Sequence, residues 1–271
     1  MSNLDFRPVV RTVAAALRRC LLALAPVAAL LPAAALPPAL LLAPIGAHAQ
    51  GSDELVQQAR EAARRKDRAR LVALREAAQA TRHPLAPWVD YWELGSRIVE
   101  STQDDLEAFY ARWPGSYVED RMRNDWLLVL GQRRDWNGVA REFPRFRMND
   151  DRQVTCYALL ADFTAGKTVA RDVARQAWLA QPVLDDGCQA MAGSLYAAGV
   201  LTRDDVWERI RQAAEDGRPN NANAAAALLG APTATEVAQA FAQPARTLAR
   251  RALVMSEERK VLVFSQFTSM L

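Results

Sequence analysis

The chain has 271 residues, 51% of them hydrophobic, a formal net charge of +3 and three cysteines. The charge is uneven: Arg7, Arg11, Arg18 and Arg19 stand against Asp5 alone in the first 49 residues, which leaves 30 basic and 30 acidic groups in the rest. A neutral, evenly mixed chain has no long-range field to gather nucleic acid or an anionic membrane, and this argues against both as partners.

The four arginines precede an uncharged Ala/Leu/Pro run from Cys20 to Ile45, closed by Ala47-His48-Ala49. This is the pattern of a secretory signal with a small-residue cleavage site. Pro26, Pro32, Pro37, Pro38 and Pro44 would interrupt a membrane-spanning helix there, each costing about 3 kcal/mol in a helix interior. The expectation is a cleaved signal over residues 1–49, a mature chain from Gln50 and a membrane encounter only during export. Cys20 belongs to the signal, so Cys156 and Cys188 remain. Two cysteines in an oxidising compartment read first as one disulfide, with two buried free thiols as the alternative.

Residues 53–66 and 68–80 read as helices with narrow apolar stripes, Leu55, Ala59, Ala62 and then Leu71, Leu74, Ala78. Such stripes need stacked neighbours to be stable. The stretch 83–136 holds five of the seven tryptophans and three helical stripes: Trp88, Tyr91, Trp92 and Gly95; Leu106, Phe109, Tyr110 and Trp113; Met122, Trp126, Val129 and Leu130. Ser101 and Thr102 stand three residues before Asp104 and Asp105, and Ser116 three before Glu119, so each junction offers a capping hydroxyl. Pro114-Gly115 closes the middle helix.

Residues 135–146 form a short amphipathic segment stopped by Pro144, and 151–165 a helix with Gly166 at its C-cap. Val173, Ala177 and Trp178 mark a helix before Pro182; another, 189–198, ends at Gly199, with Cys188 in the turn before it. Thr202 and Asp205 form a capping box for a helix carrying Val206, Ile210 and Ala213. Residues 220–230 are Ala-rich, and one more helix, 233–241, starts behind Thr233 and Glu236. No strand is expected between 50 and 243. Helix pairs recurring about every thirty residues indicate an all-α, helical-repeat superhelix or solenoid, with an irregular bundle as the competitor. The end of the chain does not fit: Val261-Leu262-Val263-Phe264 reads as a buried strand with no sheet to join.

The pairs Asp104-Asp105, Asp150-Asp151, Asp185-Asp186 and Asp204-Asp205 all fall at expected helix starts, where carboxylates serve as caps before they serve as acids and bases. After the signal His83 is the single histidine, so no Cys/His spacing supplies a metal site. The scattered glycines make no phosphate loop. No cofactor, metal or catalytic residue is expected. Trp88, Trp92, Trp113, Trp126 and Trp136 could stack on sugar rings, with Arg112, Arg121 and Arg123 nearby for hydroxyls, although aromatics at helical spacing are core residues first.

The segments APWVDYWEL, FYARWPGSYVEDRMRNDWLLVLGQRRDW, VTCYALLADFTAG and CQAMAGSLYAAGVLTRDDVWERIRQA resemble the N-terminal superhelical domain of soluble lytic murein transglycosylases of the Gram-negative periplasm. The resemblance covers roughly residues 53–241, and its specific parts are the W-P-x-S-x-x-x-D-R turn from Trp113 to Arg121, Arg134 to Trp136, and the segments at Cys156 and Gly199. It implies a part of a ring-like α-solenoid, a peptidoglycan glycan strand as partner, and a separate lysozyme-like domain that cleaves with a single glutamate. The family's glutamate is followed by serine, but Glu100-Ser101 lies in a capping turn, so no catalytic residue carries over and the chain is expected to lack the catalytic domain. The cysteines fall in two of the best-matching segments, which points again to the Cys156–Cys188 pair.

On this reading Trp88, Trp92, Arg112 and Arg121 are the candidate glycan contacts, presented on a concave face, and the expected domains are residues 1–49, 50–251 and 252–271. The alternative is a helical-repeat scaffold that binds proteins in the periplasm. The last fourteen residues, ERKVLVFSQFTSML, resemble the start of the C-terminal lobe of chromatin-remodelling, helicase-like ATPases. They lack every nucleotide-binding element and read as a misjoined, functionally empty tail.

Overall fold

A computed structural model describes residues 46–181 and 183–247. The signal readings on residues 1–45 and the tail readings from 252 onward lie outside the described residues. Within them every regular element is helical: α1 (Gly46–Arg65), α2 (Arg68–Ala80), α3 (Ala86–Gly95), α4 (Gln103–Arg112), α5 (Tyr117–Gln132), α6 (Trp136–Glu142), α7 (Arg152–Thr164), α8 (Arg171–Leu179), α9 (Asp186–Ala197), α10 (Arg203–Glu215), α11 (Pro219–Ala227) and α12 (Ala231–Ala242), with short 3-10 turns at Ile98–Glu100 and Phe143–Arg145.

The helix starts show why the chain breaks where it does. Thr102 and Thr202 each accept from the N–H three residues on and receive the reciprocal carboxylate, Asp105 and Asp205. Ser116 accepts from the N–H of Glu119, while Glu119 Oε2 turns to the N–H of Gly115. Asp67, Asp135, Asp151 and Asp185 cap α2, α6, α7 and α9 in the same way. Gly115, Gly166 and Gly199 supply the left-handed residues that end turns.

Four boundaries differ from expectation. No proline lies between Gly46 and Arg65, and α1 runs back to Gly46, ahead of Gln50. The segment 135–146 divides at Phe143, because Pro144 can begin a 3-10 turn but cannot continue α6. Asp185 caps α9 three residues earlier than expected and brings Cys188 inside the helix. Finally α12 begins at Ala231, with Pro232 in its first turn and Gly230 at φ 98° as its cap, so Thr233 is a helical residue.

Most helices pack on the next, and a series of alternate helices also meets along the chain: α1 on α3, α3 on α5, α5 on α7, α7 on α9. The apolar core follows the chain in three overlapping sets. Ala59, Ala62, Leu71, Ala78 and Val89 join α1 to α3. Leu106, Phe109, Met122, Trp126, Leu127 and Tyr157 join α4 to α7. Leu160, Trp178, Met191, Leu195, Val206 and Ile210 continue to α12. Trp113 borders the first and second sets, Trp136 the second and third.

Two glycines bring alternate helices close. A Cβ on Gly131 of α5 would lie 2.3 Å from the Tyr157 ring of α7, and one on Gly187 of α9 would lie 2.7 Å from the carbonyl oxygen of Gln153 in α7. Cys156 and Cys188 sit beside this contact, their Cα atoms 4.8 Å apart and their sulfurs joined. The Tyr157 hydroxyl donates to Asp186 at 2.6 Å, and Arg134 reaches the same carboxylate at 2.8 Å.

Candidate functional site

Aromatic side chains of α3 meet the exposed face of α5. Trp88 stands edge-on to Tyr91 with ring centroids 5.7 Å apart, and lies 6.3 Å from Trp92 and 5.8 Å from Tyr117. The first three rings are half-buried and Tyr117 is 57% exposed. Tyr117, Arg121 and Asp125 follow at i, i+4 and i+8, and so share one face of α5. The Tyr91 hydroxyl donates to Asp125 Oδ2 at 2.5 Å. Burial, then the Asp125 carboxylate, raise the Tyr91 pKa, so the phenol keeps its proton. Burial opposes the charge on Arg121, but Asp125, Tyr91 and Tyr117 outweigh it.

Tyr117 also forms one wall of a hollow of about 300 Å³ lined with Gly115, Ser116, Asp120, Arg147 and Met148. The hollow is built around the turn at Ser116. Buried Asp120 accepts from the backbone N–H groups of Arg147 (2.9 Å) and Met148 (2.7 Å), and so fixes the loop after α6. Arg147 donates to the Ser116 carbonyl at 3.0 Å. Flat half-buried rings beside an arginine, a carboxylate and hydroxyls suit a ligand with an apolar face and polar edges.

The sequence candidates divide. Trp88 and Arg121 belong to this surface. Trp92 touches it through Trp88 but also packs against the α1–α3 core. Arg112 is turned to Asp90, which is fully buried and accepts from Arg112 Nε at 2.8 Å and Trp113 Nε1 at 2.7 Å. That arginine neutralises a buried carboxylate. Trp126 and Arg123 are core residues: Arg123 lies 4.0 Å from the Tyr110 ring centroid and bonds to Glu142 and Glu119. Tyr91, Tyr117 and Arg147 are not among the sequence candidates. Tyr117 carried a signal, since it follows a capping serine and stands one residue ahead of Val118, where the buried stripe of α5 begins.

Glu100 is exposed and held by both arms of the Arg68 guanidinium, at 2.8 and 2.9 Å. That bond lowers its pKa, whereas a general acid needs the opposite shift. His83 is buried and accepts the Leu85 N–H at its Nδ1, which braces the α2–α3 turn. Among the described residues no cluster of three or more His, Cys, Asp or Glu is arranged to hold a metal, and no helix is long and apolar enough to cross a membrane.

No protein-family model and no curated protein matches the chain. Two solved structures do. An inactive mutant of the lytic transglycosylase Slt from Pseudomonas aeruginosa aligns over 73% of this chain and 32% of its own, with 23% identity and a TM-score of 0.51. A 70-kDa soluble lytic transglycosylase in complex with bulgecin A aligns over 79% of this chain and 34% of its own, with 16% identity and a TM-score of 0.57. The chain thus spans about a third of the length of the structures it matches. At these identities the likeness is one of fold: an all-helical domain related to a helical part of Slt.

Proposed function

We propose that this chain is an exported, periplasmic α-solenoid that works as the non-catalytic, strand-positioning part of a peptidoglycan lytic transglycosylase. Residues 1–49 would be its signal, 50–251 the superhelical domain and 252–271 an unrelated tail. The α3–α5 surface would take the sugar rings: Trp88 and Tyr117 offer aromatic faces, and Arg121 and Asp125 meet hydroxyl or acetamido groups. The observation that carries this reading is the placement of three aromatic rings, Tyr91, Trp92 and exposed Tyr117, around Trp88. The fold shared with Slt supports it.

The test is co-sedimentation of the chain with insoluble peptidoglycan. Wild-type protein should pellet with the sacculi, and Tyr117→Ala combined with Arg121→Ala should weaken that by about tenfold, about 1.4 kcal/mol, without loss of helical signal. Glycan-independent behaviour, with no pelleting, would favour the protein-interaction scaffold instead.

A further inference from the structure

The hollow beside Tyr117 has chemistry that the aromatic α3–α5 surface lacks. One wall is the Tyr117 ring, whose centroid lies 5.8 Å from that of Trp88, so a single side chain borders both the aromatic platform and the hollow. The other walls come from the turn at Gly115 and Ser116 and from the loop residues Arg147 and Met148. A volume of about 300 Å³ is at the lower end of the range for small-molecule sites. It has room for a side branch of a sugar and not for a glycan strand.

Most polar groups around the hollow are already committed. Buried Asp120 accepts from the N–H groups of Arg147 and Met148. The Ser116 hydroxyl donates to the Trp113 carbonyl and accepts from Glu119, and the Gly115 N–H donates to the Glu119 carboxylate. Arg147 is the exception. Its side chain is 53% exposed, and its contacts with Ser116, Glu119 and Asp120 run through Nη2 and Nε, which leaves Nη1 to donate to a ligand. The ligand must therefore bring an acceptor. Glu119 and Asp120 each stand 3.5 Å from the same guanidinium, so a carboxylate would meet two negative charges there, and a neutral carbonyl would not. Beside it Met148, half-buried and packed on the α4–α7 core, gives an adaptable apolar wall that fits a methyl group.

A neutral acceptor flanked by methyl groups, hung from a sugar that lies on Trp88 and Tyr117, has the form of an amide-linked peptide branch. We propose that the hollow takes the lactyl-alanyl start of the peptide stem carried by every second sugar of a peptidoglycan strand. The lactyl-alanyl carbonyl accepts from Arg147 Nη1, and the alanyl methyl covers Met148. This rests on the glycan reading of the α3–α5 surface and adds a register to it: only every second ring can be the one that stacks at Tyr117.

The test is saturation-transfer NMR on the full chain with muramyl dipeptide, N-acetylmuramic acid and N-acetylglucosamine. The first continues the branch through a neutral amide, the second ends it in a free carboxylate, and the third has no branch. Muramyl dipeptide should bind saturably and at least about tenfold tighter than either of the others, with its alanyl methyl among the most strongly saturated protons. Met148→Gln, shown to be folded by its melting curve, should abolish that preference. Should that variant not fold, Arg147→Gln on the exposed wall should do the same. Equal binding of the three sugars, an alanyl methyl that receives no saturation, or a preference preserved in the folded variants would overturn the branch assignment. So would the absence of saturable binding by any sugar; whether the glycan reading falls with it is decided separately, by pelleting with sacculi.

Discussion

Replacing Gly131 with alanine should destabilise the protein, although the position is inside a helix where alanine is ordinarily the better residue by about 0.8–1.0 kcal/mol. The added Cβ would lie 2.3 to 2.5 Å from three atoms of the Tyr157 ring. The ring cannot swing clear, because its hydroxyl is tied to Asp186 and its other face lies toward Gly187 and Trp136. The crowding must then be relieved by shifting α7 from α5, at a cost of about 1–3 kcal/mol for overpacking. Set against the propensity gain, the net loss is about 0–2 kcal/mol, and about 2–4 °C in melting temperature per kcal/mol for a domain of this size. Gly187→Ala meets a backbone carbonyl at 2.7 Å rather than a ring, and should lose more. Gly95, at the end of α3, has nothing within 4 Å of the same atom, so Gly95→Ala serves as the control and should be neutral or stabilising. Thermal unfolding followed by circular dichroism ranks the three. If Gly187→Ala proves at least as stable as wild type, the two-glycine account of helix spacing is wrong.

Two further outcomes follow from the same region and from α10. A Cys156–Cys188 bond closes a loop with a sequence separation of 32, and in the chain-entropy model its loss should cost about 3–4 kcal/mol, or about 6–16 °C in melting temperature; mass spectrometry without reductant that finds two free thiols in exported protein would refute the bond. Burial works to raise the pKa of Asp205, but Arg171 and the Thr202 cap bring it to about 2, below the ordinary 3.8. Since the folded state binds this proton less tightly than the unfolded chain, the contribution is complete above about pH 4 and is lost as pH falls through about 2. Asp205→Asn should flatten that part of the melting-temperature profile, and an unchanged profile would remove Asp205 from the account of acid lability.

The helices were legible because their signals are local. Capping hydroxyls at Thr102, Ser116 and Thr202 and glycines at 115, 166 and 199 act within one turn, and each does in three dimensions what its sequence position suggests. The misplaced starts have local causes too: at α12 Thr233 has the chemistry of a cap, but Pro232, whose missing N–H is free of cost only in the first turn, sets the start at Ala231. The spacing between helices was not legible. Gly131 and Gly187 look like any other helical glycines until Tyr157 and Gln153 are placed against them from a helix far away in sequence.

The same distinction governs the candidate site. Trp88 and Trp126 have similar neighbours in sequence, each on an apolar stripe at helical spacing, yet one borders solvent and the other is 2% exposed. The difference arises from what packs over each: α4 and the Gln103 side chain close over Trp126, whose Nε1 donates to Gln103 Oε1 at 2.9 Å, while Trp88 lies at the edge of the core among half-buried Tyr91 and Trp92 and the exposed ring of Tyr117. Arginines divide by the same rule. Arg112 and Arg123 are spoken for by buried carboxylates, Asp90 and Glu142, that a solvated helix face would not contain. A buried acid needs its partner more than a ligand does, and an arginine assigned to one is withdrawn from the surface. What remains for binding is the set that no carboxylate in the core has claimed, and at α3–α5 that set is Trp88, Tyr117 and Arg121.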